Sequence, residues 1–412
     1  MNIRRVVVTG ASGITSLGHD WETVGQKLRA GRNAVKQMPE WGEFRGLNSL
    51  LGAPVEGFEL PDAYTRKKTR SMGRVAKFAT RSAELALEEA GLLEDPLLGS
   101  GRMGVAYGSC VGCTKSIMEF GGMLMHHDTN YVTGTSYVRL MPHTTAVNIG
   151  IFFGIRGRII PTPSACTSGS QAIGYAWEAI RYGMQDAMVA GGAEELTPAH
   201  AAAFDTLFAA SVKNKTPELT PSPFDKDRDG LVIGEGAGTL VLEELEHARA
   251  RGARILGEIT GFATNNDATH VTNPNQATMK ACMEEALAVA GISAADVGYI
   301  NAHGTGTSRG DEAESLATAE VFGSRVPVSS LKSYFGHTLG ACGGIEAWLT
   351  LHMMQEGWFA PTINLKNPDP ACGDLDYIMG EDRKADVEYA VSNNFAFGGI
   401  NTSLVFRRWE GR

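Results

Sequence analysis

Three stretches of this 412-residue chain carry side chains able to make and break bonds. The first, PTPSACTSGSQAIGYAWEAIRYG (161–183), sets Cys166 among Ser, Ala, Thr and Gly, directly ahead of a pattern that predicts a helix over 169–182. Small neighbours leave room for a substrate. The unpaired N–H groups and dipole of a helix N-terminus favour a thiolate, so such a sulfur is nucleophilic without a dedicated base. Taken alone, a single cysteine is more often buried packing. The second and third stretches, INAHGTGTSRGDEAE (300–314) and SLKSYFGHTLGACGGIEA (330–347), place His303, then Lys332 and His337, in Gly-rich turns where histidine has little packing to do. Two imidazoles facing one cysteine suit carbon–carbon bond formation on thioesters: the cysteine holds an acyl group while neutral Nε2–H groups stabilise an enolate oxygen.

A fourth stretch, VSNNFAFGGINTSLVF (391–406), combines a strand with two glycines that let backbone approach a ligand. Its N–H groups are candidates for an oxyanion hole, and Phe395 and Phe397 read equally well as core. Two other motifs carry less. TGASGIT (9–15) with Tyr64 and Lys68 imitates a nicotinamide-binding turn and a YxxxK pair, but the pair falls before a second βα unit can be complete, so a strand-to-helix turn is expected. Cys110 and Cys113 form a CxxC without a second pair or spaced histidines, which predicts a packed turn and no metal.

The elements that must position these residues read as α/β. Strand-like runs (RRVVVTG, RMGVAYG, DAMVAGG, GTLVLEEL, VGYINAHG, VPVSSL) alternate with helical patterns such as KFATRSAELALEEAG and ATMKACMEEALAVAG, and many of the 50 glycines cluster at strand ends. ALEEAGL (86–92) and ALAVAGI (286–292) lie 200 residues apart, and residues 164–186 and 330–357 both run from a strand end through a small-residue turn into a long helix. Two similar halves meeting at one shared site are implied, residues 1–250 carrying Cys166 and 251–412 carrying both histidines, joined near HARARGAR (247–254). Six irregularly spaced cysteines argue against a disulfide framework. The net charge of −9 disfavours nucleic-acid binding. MNIRRVVVTG enters a strand without an apolar leader, and no run is long enough to span a membrane, so no membrane insertion and a cytoplasmic location are expected.

Taken in order, SACTSGSQAIG, SPFDKDRDGLVIGEGAGTLVLEELEHARARGA, NAHGTGTSRGDEAE, LKSYFGHTLGACGGIEA and SNNFAFGGIN resemble the β-ketoacyl-acyl-carrier-protein synthases of the type I/II class, over nearly the whole chain. The resemblance implies a thiolase-like fold of two βαβαβαββ halves in a five-layer αβαβα core. It also implies a decarboxylative condensation that makes a 3-oxoacyl carrier protein. By the family pattern, the catalytic Cys-His-His set falls on Cys166, His303 and His337, the lysine on Lys332 and its paired glutamate on Glu346. Phe397 is the gate, its N–H joining that of Cys166 in the oxyanion hole, and Thr305 and Thr307 hold the phosphopantetheine arm. That arm arrives on the acyl-carrier protein, so no cofactor of the enzyme's own is implied. The partners implied are acyl and malonyl carrier proteins and either a second copy or a chain-length partner. Docking of the carrier beside the active-site mouth is implied for Lys67, Lys68, Arg70 and Arg74, within the acid-free run TRKKTRSMGRVAKFATR (65–81).

Departures from the pattern bear on the substrate. Ala396 and Ile400 replace the usual Gly and Thr of the gate, Tyr334 and Phe335 precede Gly-His, and Val111 aligns with an acyl-pocket position. Phe208 stands where many relatives carry an arginine, leaving Lys213 and Lys215 as nearby cations. Ordinary fatty-acid elongation and specialised polyene or other secondary-product assembly therefore both stay open. Three rivals are weaker. A non-catalytic chain-length partner would lack the nucleophile, a thiolase would carry a second catalytic cysteine where this chain has SNNFAFGGIN, and a cysteine hydrolase or acyltransferase would not need the second histidine loop.

Overall fold

The computed structural model describes residues 3–411. Five strands of the first half are β1 (Val6–Ile14), β2 (Met103–Gly108), β3 (Ile159–Pro161), β4 (Ala187–Glu194) and β5 (Gly236–Glu244). Six follow in the second half: β6 (Gly257–Asn266), β7 (Val297–Asn301), β8 (Pro327–Ser329), β9 (Asp376–Tyr377), β10 (Tyr389–Phe395) and β11 (Ile400–Arg408). The spatial order is β3-β2-β4-β5-β1 and then, mirrored across an antiparallel β1·β6 pairing, β6-β11-β10-β7-β8-β9. The internal repeat is thus explicit. In each half the first strand pairs antiparallel with the last, the last pairs antiparallel with the strand before it in sequence, and that strand runs parallel with the second and third strands of the half.

Five longer helices accompany them: α1 (Arg74–Glu89), α2 (Ser168–Arg181), α3 (Gln276–Ala290), α4 (Ser308–Phe322) and α5 (Cys342–Glu356). The helices α2 and α5 are buried on almost every face, as expected for helices enclosed between layers, and they contact strands of both halves. By contrast α1 and α3 bury one stripe each, α3 through Met279, Cys282, Met283, Ala286 and Leu287. They cover the outer faces of the first and second halves, which gives the layered αβαβα arrangement. Central strands β1 and β4 are buried at every position, so they read as continuous apolar and small runs instead of alternating ones.

The two central helices meet almost backbone to backbone. A Cβ on Gly169 of α2 would lie 2.8 Å from the nitrogen of Gly344 in α5, and one on Gly344 would lie 2.4 Å from the carbonyl oxygen of Gly238 in β5. Each helix is entered by a short 3₁₀ turn, Ala165–Thr167 before α2 and Leu339–Ala341 before α5. Both turns begin with a non-glycine residue in left-handed conformation, Ala165 at φ 51° and Leu339 at φ 49°. Repetition of that strain in both halves marks it as part of the duplicated design.

One expectation is corrected here. TGASGI is not a strand-to-helix turn but the second part of β1. Its glycines are explained by crowding, since a Cβ on Gly10 would sit 2.1 Å from the Ala86 carbonyl of α1 and one on Gly13 would enter the Trp348 ring. Tyr64 of the false YxxxK pair donates to Glu84 at 2.8 Å, and Lys68 lies over the Phe152 ring, 5.0 Å from its centroid.

Gly344→Ala gains helix propensity but has no space. It is expected to destabilise the protein by about 1–3 kcal/mol in urea unfolding, as overpacking of a filled core does; an unchanged midpoint would contradict the close approach of α5 to β5.

Candidate active site

Cys166 lies in the 3₁₀ turn before α2 and is 5% exposed. The loop after β7 brings His303, and the loop before α5 brings His337, so that the ligand atoms of all three lie within 4.8 Å of one another. Nε2 of His337 is 3.0 Å from Sγ of Cys166. The proton on this ring can be located by its other nitrogen. Leu339 N–H donates to His337 Nδ1 at 3.2 Å, so Nδ1 is the acceptor and Nε2 carries the hydrogen. In His303, Nδ1 faces the Nδ2 amide of Asn394 at 3.4 Å, which again leaves Nε2–H for a substrate. Burial holds both imidazoles well below their ordinary range, with the Lys332 charge adding to the effect. Both are neutral donors near pH 7, which is the state needed to hold a developing oxyanion.

The thiol departs from the sequence expectation in one respect. Burial pushes it up to about 11, so the helix terminus does not by itself set a low value; the Lys332 charge and the backbone N–H groups of Phe397 and Cys166 itself pull the other way. Because His337 presents N–H and not a lone pair, it stabilises a thiolate without acting as its base.

Lys332 and Glu346 are fully buried and paired beneath the site. Burial would lower Lys332, but the Glu346 carboxylate holds it above its ordinary value. Glu346 also accepts from Asn394 Nδ2 at 2.7 Å. Asn394 therefore touches the ion pair and His303 together, and its neighbour Phe395 lies edge-on to the His303 ring. Two carboxylates on the first turns of α4 fix the histidine loop. Glu314 accepts from the N–H groups of His303 (2.6 Å) and Gly304 (2.7 Å), and Asp311 from those of Thr305 (2.9 Å) and Gly306 (3.1 Å). Asp311, Glu314 and Asn394 were all within quoted motifs. Their only sequence signal was a carboxylate spacing of three that aims both back over the turn before a helix.

A cavity of about 410 Å³ opens onto the three catalytic candidates. Thr305 and Thr307, their hydroxyls 2.9 Å apart, line it together with Phe395, Ala396 and Phe397. Phe204 packs against the Phe397 ring, centroids 5.2 Å apart, a contact with no signature in the sequence. Ala396 N–H donates to the Ile400 carbonyl at 2.8 Å, which closes the gate turn through Gly398 and Gly399, both at positive φ.

Other residues singled out as departures from the family pattern do not line this cavity. Val111 and Ile400 are not among the lining residues, and Tyr334 and Phe335 are fully buried core, Tyr334 donating to the Leu28 carbonyl at 3.3 Å. Lys67, Lys68, Arg70 and Arg74 do not line the cavity. Arg74 begins α1, which packs on the outer face of β1 and β5, and its guanidinium is drawn to the buried carboxylate of Glu235 at 2.7 Å. Lys67, Lys68 and Arg70 are exposed and form no ion pair among the described residues. Cys110 and Cys113 join no cluster of metal-ligating groups among the described residues; Cys110 N–H donates to Glu194 at 2.6 Å.

A duplicated α/β core whose halves deliver a thiol and two neutral imidazoles to one cavity is the architecture of a thiolase-like condensing enzyme. Residues 3–248 match the family model for the N-terminal domain of beta-ketoacyl synthase and residues 256–366 that for its C-terminal domain. The chain is 38% identical over 416 residues to 3-oxoacyl-[acyl-carrier-protein] synthase 2 of Vibrio cholerae, covering 99% of this chain and 100% of that protein. It superposes on a crystal structure of a beta-ketoacyl synthase from Burkholderia phymatum with a TM-score of 0.98, at 58% identity over 99% of this chain and 100% of that one. It is also similar to AntDE:AntF, a type II polyketide acyl-carrier protein in complex with its ketosynthase, at 31% identity, 99% and 100% coverage and a TM-score of 0.88. The chain belongs to the β-ketoacyl synthase family. Among the described residues no helix is long and apolar enough to cross a membrane.

Two outcomes follow from these electrostatics. Lys332→Ala removes a charge that favours the thiolate, so iodoacetamide alkylation of Cys166 at pH 8, followed by mass spectrometry, is expected to slow about tenfold, the effect of one pKa unit; an unchanged rate would contradict the role of the buried cation. The second concerns pH. His303 and His337 are lowered in the folded state, so the unfolded chain binds more protons below about pH 6.5 and their contribution, complete above that value, is lost as pH falls, by up to about 1.4 kcal/mol per unit for each ring. Between pH 7.5 and 5.5 the melting temperature of a His303→Asn/His337→Asn variant should therefore fall less than that of the native protein.

Proposed function

We propose that this protein is a 3-oxoacyl-[acyl-carrier-protein] synthase that extends a Cys166-bound acyl chain by two carbons in fatty-acid or polyketide assembly. The observation that carries the reading is the convergence of one thiol with two neutral imidazoles, their ligand atoms within 4.8 Å of one another. In the first half-reaction the Cys166 thiolate attacks the thioester carbonyl of an acyl carrier protein. The tetrahedral oxyanion takes the N–H groups of Phe397 and Cys166, and the carrier thiol leaves with the proton that the cysteine lost. In the second, a malonyl carrier protein places its thioester oxygen against Nε2–H of His303 and His337. The carboxylate departs as carbon dioxide, the electron pair of that bond becomes an enolate, and the enolate carbon attacks the acyl-Cys166 carbonyl. Collapse of that intermediate expels the Cys166 thiolate and releases the 3-oxoacyl carrier protein. Thr305 and Thr307 hold the amide groups of the phosphopantetheine arm, which comes in on the carrier, so the enzyme needs no cofactor of its own for these steps.

The carrier partner is supported by the related ketosynthase solved with its acyl-carrier protein. For the enzyme's own assembly, a second copy of the chain is the occupant proposed for the apolar strip formed by the β3 edge and the helix Thr114–His126, where Ile117, Met118, Leu124, Met125 and Ile159 are exposed. Lys67, Lys68 and Arg70, exposed and without an ion pair among the described residues, remain the charged contacts proposed for the carrier.

Radiolabelled malonyl carrier protein separates the roles. Cys166→Ala should make no 3-oxoacyl product, whereas His303→Ala and His337→Ala should still take an acyl group from its carrier and release labelled carbon dioxide at least about a hundredfold more slowly than the native enzyme, the range for a lost oxyanion donor. Native rates of decarboxylation in both histidine variants would remove the proposed roles.

A further inference from the structure

The outer rim of the catalytic cavity carries apolar side chains held out in water. Leu207 and Val271 are exposed, and Phe208 is 93% exposed. Phe208 is also in left-handed conformation, at φ 54°. It closes the helix Pro198–Asp205, with its own N–H donating to the Asp205 carbonyl (3.0 Å) and that of Ala209 to the Phe204 carbonyl (2.9 Å). Helices that end in this way favour glycine at the left-handed position, because a Cβ there crowds the backbone. An aromatic ring at such a place is strained, and a ring in water recovers nothing by burial. Folding alone does not account for it.

We propose that Phe208, with Leu207 and Val271, is an apolar docking pad for the acyl-carrier protein that delivers its thioester to Cys166. This rests on the condensing reaction above. The pad borders the cavity that holds Cys166, His303 and His337, so a protein threading an arm into that cavity must sit over the rim. Asp229, Asp267, His270 and Arg309 also line the cavity. Asp229 is faced by Lys213, Nζ to Oδ1 at 3.5 Å. Arg309, exposed in the first turn of α4, donates to Asn273 Oδ1 at 3.2 Å and has no ion pair among the described residues. The phosphodiester of a phosphopantetheine arm supplies the anion that this exposed guanidinium lacks. An enzyme of net charge −9 offers the carrier no overall attraction for its phosphodiester arm, so apolar contact flanked by one unpaired arginine supplies a short-range attraction beside the cavity. The pad also reaches the gate. Val271 accepts the N–H of Gly398 through its carbonyl at 2.8 Å, and Phe204, next to Leu207 along the cavity wall, packs on Phe397.

Fluorescence anisotropy with a labelled, phosphopantetheine-bearing carrier protein tests the pad on the full-length enzyme. Phe208→Gly is expected to weaken binding about tenfold while its melting temperature stays equal or rises, since glycine relieves the turn. Phe208→Leu, which keeps apolar bulk, should bind within about threefold of native. Unchanged affinity in Phe208→Gly overturns the proposal, as does a lowered melting temperature. It also falls if sedimentation shows that the glycine variant alters self-association of the enzyme and not carrier binding. Failure of the condensing reaction would show itself separately, as native enzyme that forms no 3-oxoacyl product from acyl-pantetheine and malonyl-pantetheine whatever the affinity for the carrier.

Discussion

The site depends on a contact between backbones. Gly169 in α2, Gly340 in the turn before α5, Gly344 in its first turn, and Gly192 and Gly238 in the strands beneath them stand so close that a methyl group on any of them meets a main-chain atom at 2.1–2.9 Å. Because the helices can touch, the turn bearing Cys166 and the turn preceding α5 share one small volume, and the His337 ring reaches the sulfur directly. The two turns are counterparts in the repeat. Cys166 occupies the middle of one and Gly340 the middle of the other, where the missing side chain leaves room for the Ser109–Cys110 backbone. Duplication supplied two similar helix entrances, and chemistry was placed in one of them.

Into that close-packed centre the fold puts a full ion pair. Removing Lys332 and Glu346 from water costs several kcal/mol per charge, and such pairs give little net stability even with good geometry. Their return is electrostatic. Burial keeps His303 and His337 neutral, and the one buried cation adds to that effect while it opposes the rise that burial imposes on the Cys166 thiol, so a single charge acts in the useful direction on the nucleophile and on both donors. Asn394 and the Asp311–Glu314 pair then fix positions: every backbone N–H from His303 to Gly306 has a carboxylate acceptor, which leaves the imidazole the free polar group of its loop. The proposed oxyanion donors come from elements distant in sequence, Cys166 at the head of α2 and Phe397 after β10, and this is why neither half could work alone.

Much of this was legible in the sequence because its requirements are local. A cysteine in a small-residue turn before a helix, and histidines in Gly-rich turns after strands, are patterns a few residues long, and the repeat of α1 with α3 and of α2 with α5 shows in composition. What failed was orientation. TGASGI reads as a turn because glycine usually marks one, whereas here Gly10 and Gly13 serve helix and tryptophan contacts that only the tertiary structure reveals. Tyr334 and Phe335 border a catalytic loop yet are buried in the core, and the basic run is divided between a short helix, Arg66–Thr69, and α1, whose position is set by packing on β1 and β5. Asn394 went unassigned because one amide bridging an ion pair to an imidazole leaves no periodic or spacing signature.

The central claim is that Cys166, among six unpaired thiols, is the one that carries the acyl chain. Cys342 is the sharpest internal control, since its thiol donates to the Cys166 carbonyl at 3.1 Å and lies beside the same buried ion pair. Native enzyme incubated with an octanoyl carrier protein, digested and mapped by mass spectrometry, should carry the octanoyl mass on the peptide containing Cys166 and on no other. Octanoylation of Cys342 or Cys110, or turnover without any acylated cysteine, would contradict the account.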